Sequence, residues 1–439
     1  MMRFVLSTVL AFSLAIPALA AVEIKEVKTP SGLTAWLVED HSIPFAALEI
    51  RFRGGASLDA PGKRGAINLM TGLLEEGAGD LDARAFARES EALATSFGFD
   101  LSDDSLSISA QFLTENREAS LALLKLALQH PRFDPEAIER VRGQVLVGIA
   151  SDAKDPNSIA GRTFDQIAFG DHPYATSMDG TAESVAALTR DDLIAAHKGV
   201  LVRDRVYIGA VGDITPEELS VLLDDLLGDL PQSGAPMPPP AELSIPGGLT
   251  VVPFETPQSV ALFGQPGITL EDPDYFVAAV LNQVLGGGSF ESRLMQEVRE
   301  KRGLTYGVYS YLAPKDLAAV YMGSVSSAND RIAEAIEVIR AEWARAAAEG
   351  VTQAELDDAK TYMTGEYPLR FSGNGPIAKI MVGMQMMGLP INYIESRNER
   401  VEAVTLEDVQ RVAGELLDPG GLHFVVVGQP VGLETTPGN

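Results

Sequence analysis

The chain has 439 residues, a formal net charge of −27 and no cysteine. Such an acid excess excludes nucleic acid and anionic lipid as partners, because both require a cationic surface; a basic partner or substrate is the electrostatic option left, and a generally solvated acidic surface is the plainer meaning. Without thiols there are no disulfides and no cysteine metal ligands, so stability rests on packing, which a 46% apolar composition supplies for two domains.

The first twenty residues combine one basic side chain, Arg3, with an apolar run from Phe4 to Ile16 and an Ala18-Leu19-Ala20 small-x-small step. That is the layout of a secretory signal peptide. Cleavage after Ala20 predicts an exported protein, periplasmic in a Gram-negative cell, with Ala21 and no lipid-modifiable cysteine at its mature N-terminus; an uncleaved anchor is the alternative. No later stretch reaches 18 uninterrupted apolar residues, so no membrane span is expected after signal cleavage.

Further along, a helix is predicted over Gly65–Gly79 and a hairpin over Thr95–Phe112, where Ser105–Phe112 alternates with period two. Glu115–Gln129 carries helical periodicity, Asp134 is placed to cap the next helix, and the apolar run Val206–Val211 reads as a strand. LPQSGAPMPPPAELSIPGG, Leu230–Gly248, holds too much proline for a helix or central strand and reads as a semi-rigid linker. The same order then returns: a hairpin over Thr305–Val325, a helix over Arg331–Ala348, Thr352 as a cap, and a strand ending at Gly428 that matches one ending at Gly212. The tail after Gly428 is expected to fray. Leu58 and Pro61 match Leu270 and Pro273 at an offset of 212, Asn116 matches Asn329 at 213, and Thr189 and Asp192 match Thr405 and Asp408 at 216. An internal duplication is the economical explanation. The predicted fold class is α+β: two homologous halves, each a mostly antiparallel sheet covered by long helices, joined by the proline-rich linker as a clam-like pair.

The run LGGGSFESRLMQEVREKRGLTYGVYS, Leu285–Ser310, reads as a glycine turn, a helix opening at Ser289 and stopped by Gly303, and a strand carrying Tyr306, Val308 and Ser310 on one side. Arg299, Lys301 and Arg302 fall in the last helical turn, where cations oppose the negative end of the macrodipole, so a structural role is open to each. Gly286, Gly287 and Gly288 lack the G-x-G-x-x-G spacing of a nucleotide loop. Three glycines, a Ser-Arg-Leu step, and Arg299 seven residues before Tyr306 together resemble the C-terminal half of the pitrilysin/insulinase zinc peptidases, the mitochondrial processing peptidase-like members included. The resemblance implies that Arg299 and Tyr306 hold a substrate peptide beside zinc, and that the Gly286–Gly288 loop touches that substrate. Both side chains donate hydrogen bonds and neither hydrolyses anything.

In that family the N-terminal half binds zinc through H-x-x-E-H on a helix, with a further glutamate about 76 residues on. Here the matching positions read Asn68, Thr71 and Gly72, and the glutamate position, in ERVRGQVLVGIASDAKDP, is Gly148. Zinc needs thiolate, imidazole or carboxylate donors at fixed spacing. The five histidines, His41, His130, His172, His197 and His423, include no pair three or four residues apart. A site assembled from separate parts of the chain stays open; otherwise no catalytic residue, metal ligand or bound cofactor is expected, and zinc is expected in a partner subunit. The small replacements fit either drift or a retained peptide cavity. The resemblance also takes in His41–Pro44 and Phe169–Thr181, where His172 reads as a loop histidine, and so spans the mature chain. It divides the chain into a signal peptide (1–20), an N-terminal peptidase-like domain with an emptied zinc site (21–229), a linker (230–248), a C-terminal domain with the Arg/Tyr pair (249–430) and a tail (431–439). The implied function is a non-catalytic, substrate-binding subunit of an exported heterodimeric zinc metallopeptidase. Its partner is a paralogue that keeps H-x-x-E-H, and its substrate is a peptide, basic on electrostatic grounds. The alternative is a structural or peptide-binding protein of the same fold without a proteolytic partner, like the respiratory core subunits.

Overall fold

A computed structural model describes residues 23–288 and 290–436, so the signal-peptide reading and Ser289 lie outside the described residues. Each half is built round one sheet. The N-terminal sheet runs Lys25–Lys28, Thr34–Glu39, Val206–Gly212, Phe45–Arg53, Ser105–Leu113, Ser96–Leu101. The C-terminal sheet, read from its other end, runs Gly248–Pro253, His423–Gly428, Gln258–Pro266, Ala318–Ala328, Val308–Lys315. The orders coincide apart from the added Lys25–Lys28 strand. In each sheet one parallel pair joins the half's last strand to an early one, and the other pairings are antiparallel. The HFVVVG strand, His423–Gly428, is buried at every residue, as a near-continuous apolar run requires when both faces of its sheet are covered.

One face of each sheet packs against helices of its own half; the other receives a helix from the opposite half. Helix Pro156–Phe169 lays Ala160, Phe164 and Ala168 on Val260, Val425 and Val427 of the C-terminal sheet. Helix Asn374–Met386 lays Ile377, Ala378, Met381 and Met384 on Trp36 and Val211 of the N-terminal sheet. Strand glycines let these helices approach: a Cβ on Gly264 would lie 2.6 Å from Phe164 Cζ, and one on Gly209 would lie 2.8 Å from the Ala378 carbonyl oxygen.

The two equivalent hairpin tips meet where the halves join. Lys315 Nζ lies 2.8 Å from Asp103 Oδ2, and the Asp316 amide donates to Asp104 Oδ2 at 3.2 Å; both pairs are 212 residues apart, the offset of the duplication itself. Residues that pair with their own equivalents lie beside a pseudo-two-fold axis. The Tyr174 hydroxyl donates to Asp104 and accepts from the Leu317 amide at 3.2 Å, while Lys315 Nζ sits 4.3 Å over the Tyr174 ring.

Local signals of the duplication survive. Thr189 with Asp192 and Thr405 with Asp408 form matching capping boxes, and Thr352 forms one with Glu355. Asp134 occupies its N-cap position, but its carboxylate accepts from Arg132 Nε at 2.7 Å and caps nothing. Residues 231–247 carry no helix or strand and are tied to both halves, through Ala235 N to Gly199 O at 3.0 Å and Ala241 N to Leu317 O at 2.8 Å. The tail is not frayed as far as it is described: the Val431 amide donates to Asn329 O at 2.8 Å, and Thr435 and Thr436 bond along the Gly248–Pro253 strand. Among the described residues no helix is long and apolar enough to cross a membrane.

Candidate functional site

The predicted helix over Gly65–Gly79 is a single short helix, Ala66–Thr71, because Gly72 closes it and Gly77, at φ +111°, starts a two-residue strand. Asp59 holds its front end, accepting from the Gly65 amide at 2.8 Å and the Ile67 amide at 2.9 Å. Burial pushes the Asp59 carboxyl up to about 6, against these bonds and Arg64, which pull it down.

The positions where the resemblance places metal chemistry are engaged elsewhere. Asn68 Nδ2 donates to Asp179 Oδ1 at 2.8 Å, and the Thr71 hydroxyl donates to the Ile67 carbonyl at 2.7 Å. A Cβ on Gly72 would lie 3.1 Å from Val141 Cγ1, so a side chain from the facing helix stands against this position. Gly148, on helix Pro135–Asp152, faces open space. Four histidines are dispersed into structural bonds: His41 with Asp213 at 2.7 Å, His172 with Pro239 O at 3.1 Å, His197 with Leu128 O at 2.8 Å, and His423 with Pro246 O at 2.6 Å. Burial lowers the pKa of His172, His197 and His423, whereas hydrogen bonds to Asp213 and Glu39 raise that of His41. Among the described residues no group of three His, Cys, Asp or Glu side chains is placed to hold a metal ion.

The second-half run differs in detail from its sequence reading. Its first helical residue is Arg293, and Met295–Glu300 winds as a π-helix, with the Lys301 amide reaching back to Gln296 O at 2.9 Å. Such a wide turn inserts a residue and re-aims the side chains that follow; it recurs at functional sites. Lys301 and Arg302 are both bound to Glu297, at 2.5 and 2.7 Å. Arg299 is held more loosely: its Nε lies 3.4 Å from Glu300, and its guanidinium lies 4.7 Å from the Phe290 ring centroid.

Tyr306 is not on the strand, which starts at Val308; it stands on a bend just before it and is 89% exposed. The physical reason is Thr305. Its hydroxyl donates to Ser326 O at 2.7 Å and accepts from the Gly307 amide at 3.1 Å, pinning the backbone on either side of Tyr306. Arg331 fixes the preceding turn by donating to the carbonyls of Gly303 and Arg302, each at 2.9 Å. The phenol itself makes no hydrogen bond or ring contact with any described residue.

The three glycines divide by environment. Gly286 ends helix Tyr275–Gly286 against the following strand, where a Cβ would lie 2.8 Å from the Ser310 amide nitrogen and closer still to its Oγ. Gly287 packs on Gln283, and Gly288 is exposed at φ +85° with open space around it. Phe290, 60% exposed and stacked under Arg299, is part of this site and was missed in the sequence. A lone aromatic in a polar loop was its one available signal.

Two duplicated α+β halves, each covered on one sheet face by a helix from the other, define a two-half metallopeptidase-type scaffold. Residues 34–182 match insulinase (peptidase family M16) and residues 187–363 match the peptidase M16 inactive domain, and the chain belongs to peptidase family M16. It is 29% identical over 415 residues to the non-peptidase homologue YmxG of Helicobacter pylori, covering 93% of this chain and 94% of that one. It is 30% identical over 318 residues, 70% of either chain, to an uncharacterised zinc protease of Mycobacterium leprae. The crystal structure of a peptidase M16 inactive domain from Pseudomonas fluorescens matches with a TM-score of 0.87 and 29% identity, covering 95% of this chain and 100% of that one. A chain of Complex III2 from Candida albicans shares the fold at a TM-score of 0.75 and 16% identity, over 93% and 96% of the two chains. At the two imidazole positions of that family's motif this chain carries Asn68 and Gly72, at the general-base position Thr71, and at the further glutamate position Gly148.

Proposed function

We propose that this chain is the non-catalytic, substrate-holding subunit of an exported heterodimeric zinc peptidase. Peptide hydrolysis needs a metal-activated water and a peptide fixed in place, and the two tasks are separable between chains. The observation that carries the reading is the contrast between the two halves. Asn68, Thr71 and Gly72 are committed to a hydrogen bond with Asp179, a helix carbonyl and packing on Val141, while Arg299 on the π-helix is only loosely held and Tyr306 stands exposed on a braced bend. The partner is a paralogue with H-x-x-E-H, which supplies zinc, its ligands and the general base. Export rests on the pattern of the first twenty residues.

The test is peptidase activity and zinc content of the purified chain alone, of an H-x-x-E-H paralogue from the same organism alone, and of their mixture. Cleavage with about one zinc per pair in the mixture only is the expected result. Arg299→Ala should then raise KM and lower kcat/KM about tenfold or more while the complex still assembles, since it removes a charge-assisted hydrogen bond of about 1.5–3 kcal/mol. Zinc and cleavage by this chain alone would overturn the proposal. The structural alternative draws its support from the fold shared with Complex III2, and gains if the mixture is inert.

A further inference from the structure

A chain with 61 acidic and 34 basic side chains has carboxylates to spare, yet Arg397 and Arg400, one turn apart on helix Tyr393–Glu402, form no ion pair with a described residue. Arg400 lies 5.8 and 5.6 Å from the ring centroids of Phe276 and Tyr393, and Arg397 lies 4.5 Å over the ring of Tyr367. The Arg397 guanidinium is fixed from one side only. Its Nη1 donates to Met363 O at 2.7 Å and to Asn398 Oδ1 at 3.0 Å, while Nε and Nη2 meet no described acceptor. Those two atoms form the edge that grips a carboxylate with parallel bonds, as Arg293 grips Glu355 at 2.7 and 2.8 Å.

Arg397 borders a cavity of about 350 Å³ at the root of the exchanged helix Asn374–Met386. Its walls have the composition of a small-molecule site, apolar surface with a few convergent polar groups. Phe276, Ile380, Met363, Met384 and Met387 supply the apolar part. Tyr275, Tyr367 and Tyr393 supply hydroxyls, none of which bonds a described residue. Burial raises the pKa of all three phenols, and Tyr393 is the next influence on the other two. The hydroxyls therefore stand near one another and stay protonated, as donors. No described lining residue is acidic, and Glu366, whose charge reaches Arg397, is paired with Arg370 at 2.9 Å. Gly383 keeps the space open: it lies inside a helix, where glycine is disfavoured, and a Cβ there meets only Met387 Cε within 4 Å, at 3.8 Å.

We propose that this cavity binds a medium-chain acyl carboxylate, its head on the free edge of Arg397 and on the phenols, its chain among the three methionines. A carboxylate accepts the arginine fork and the hydroxyls together, and supplies the negative partner that Arg397 and Arg400 lack. Walls of unbranched, adaptable methionine suit a flexible chain. The bound chain rests on Ile380, Gly383 and Met387 of the helix that Trp36 and Val211 receive on the N-terminal sheet, so occupancy braces the joint between the halves.

Decanoate is the probe, titrated by calorimetry into the full chain below its micelle concentration, with decan-1-ol as the uncharged counterpart. The methionine methyl groups are labelled with carbon-13 for NMR. The expected result is one decanoate per chain, with binding weaker by about tenfold or more for decan-1-ol and in Arg397→Gln. The Met363, Met384 and Met387 methyl resonances, each assigned by its Met→Leu variant, should shift on binding. Gly383→Leu fills the cavity from a position without a backbone clash and should abolish binding while the circular dichroism spectrum stays unchanged, which keeps the test decisive if Arg397→Gln does not fold. Equal binding of decan-1-ol, or undiminished binding in a folded Arg397→Gln, overturns the carboxylate head. Undiminished binding in Gly383→Leu, or shifts confined to other methionines, overturns the location. Binding that does not saturate near one equivalent, or none up to the micelle concentration, overturns the proposal outright.

Discussion

Gly72 and Gly148 stand at two of the emptied ligand positions, yet the structure gives them different freedom to change. A Cβ on Gly148 meets nothing within 4 Å, and the residue lies inside helix Pro135–Asp152, where glycine costs about 1 kcal/mol relative to alanine. Gly148→Ala should therefore stabilise by about 1 kcal/mol, and Gly148→Glu by about half that. Gly72 has helical angles (φ −66°, ψ −8°), so a side chain meets no backbone strain, but it sits at the helix end and only 3.1 Å separates its Cβ position from Val141 Cγ1. Gly72→Ala should be close to neutral. Gly72→His drives a ring against Val141 and should cost about 1–3 kcal/mol, the usual range for overpacking. The glutamate and histidine variants then differ by roughly 1.5–3.5 kcal/mol. Urea unfolding followed by circular dichroism reads this directly: with a slope of about 3 kcal/mol per molar, a difference of about 2 kcal/mol moves the midpoint by about 0.7 M. Equal midpoints for Gly148→Glu and Gly72→His would refute the argument that Val141 occupies the second imidazole's place.

Asp59 and Asp165 are both held at about 6 by burial, above the ordinary value near 3.9 that they regain on unfolding. The stability each contributes is therefore complete below about pH 4 and is lost as pH rises through 6. Asp165→Asn should flatten the fall in urea midpoint between pH 4 and 6; a slope unchanged from the parent would show that Asp165 is solvated. Lys315→Ala should destabilise by up to about 1 kcal/mol, and a double-mutant cycle with Asp103→Ala should give a coupling of that order, with the Arg64–Asp103 pair lost equally on both arms. Additive effects would rule out a direct pair. Gly286→Ala should cost about 1–3 kcal/mol because its Cβ meets the Ser310 backbone, whereas Gly288→Ala meets only the strain of its positive φ; equal thermal shifts would contradict that division.

The duplication was legible because it is written in local chemistry. Threonine caps three residues before an acidic side chain recur at Thr189 and Thr405, and their physics needs no tertiary context. The hairpins were legible for the same reason, alternation being a property of the strand itself. The emptied helix was overextended because Leu73, Leu74 and the two glutamates continue a helical pattern after Gly72, and only the structure shows the chain turning there. The π-helix at Met295–Glu300 left no mark in composition, and Tyr306 was assigned to the strand because period-two alternation extends one step too far. What alternation could not report was the Thr305 hydroxyl reaching across to Ser326. The exchanged helices were invisible in principle: Pro156–Phe169 and Asn374–Met386 are amphipathic whichever half they cover.

That exchange also governs how the chain reaches its native state. Helix Pro156–Phe169 has its apolar seat on Val425 and Val427, which belong to the last strand of the chain, so the first half is left with an uncovered apolar surface until the final residues have been made. Contacts of such sequence separation are slow to form, because a long loop must close before any of them repays its entropy. Synthesis from the N-terminus therefore yields a half-finished intermediate rather than an independent first domain, and that intermediate carries the exposed sheet face that chaperones bind. A truncation anywhere before His423 should be recovered as aggregate, however complete its N-terminal half.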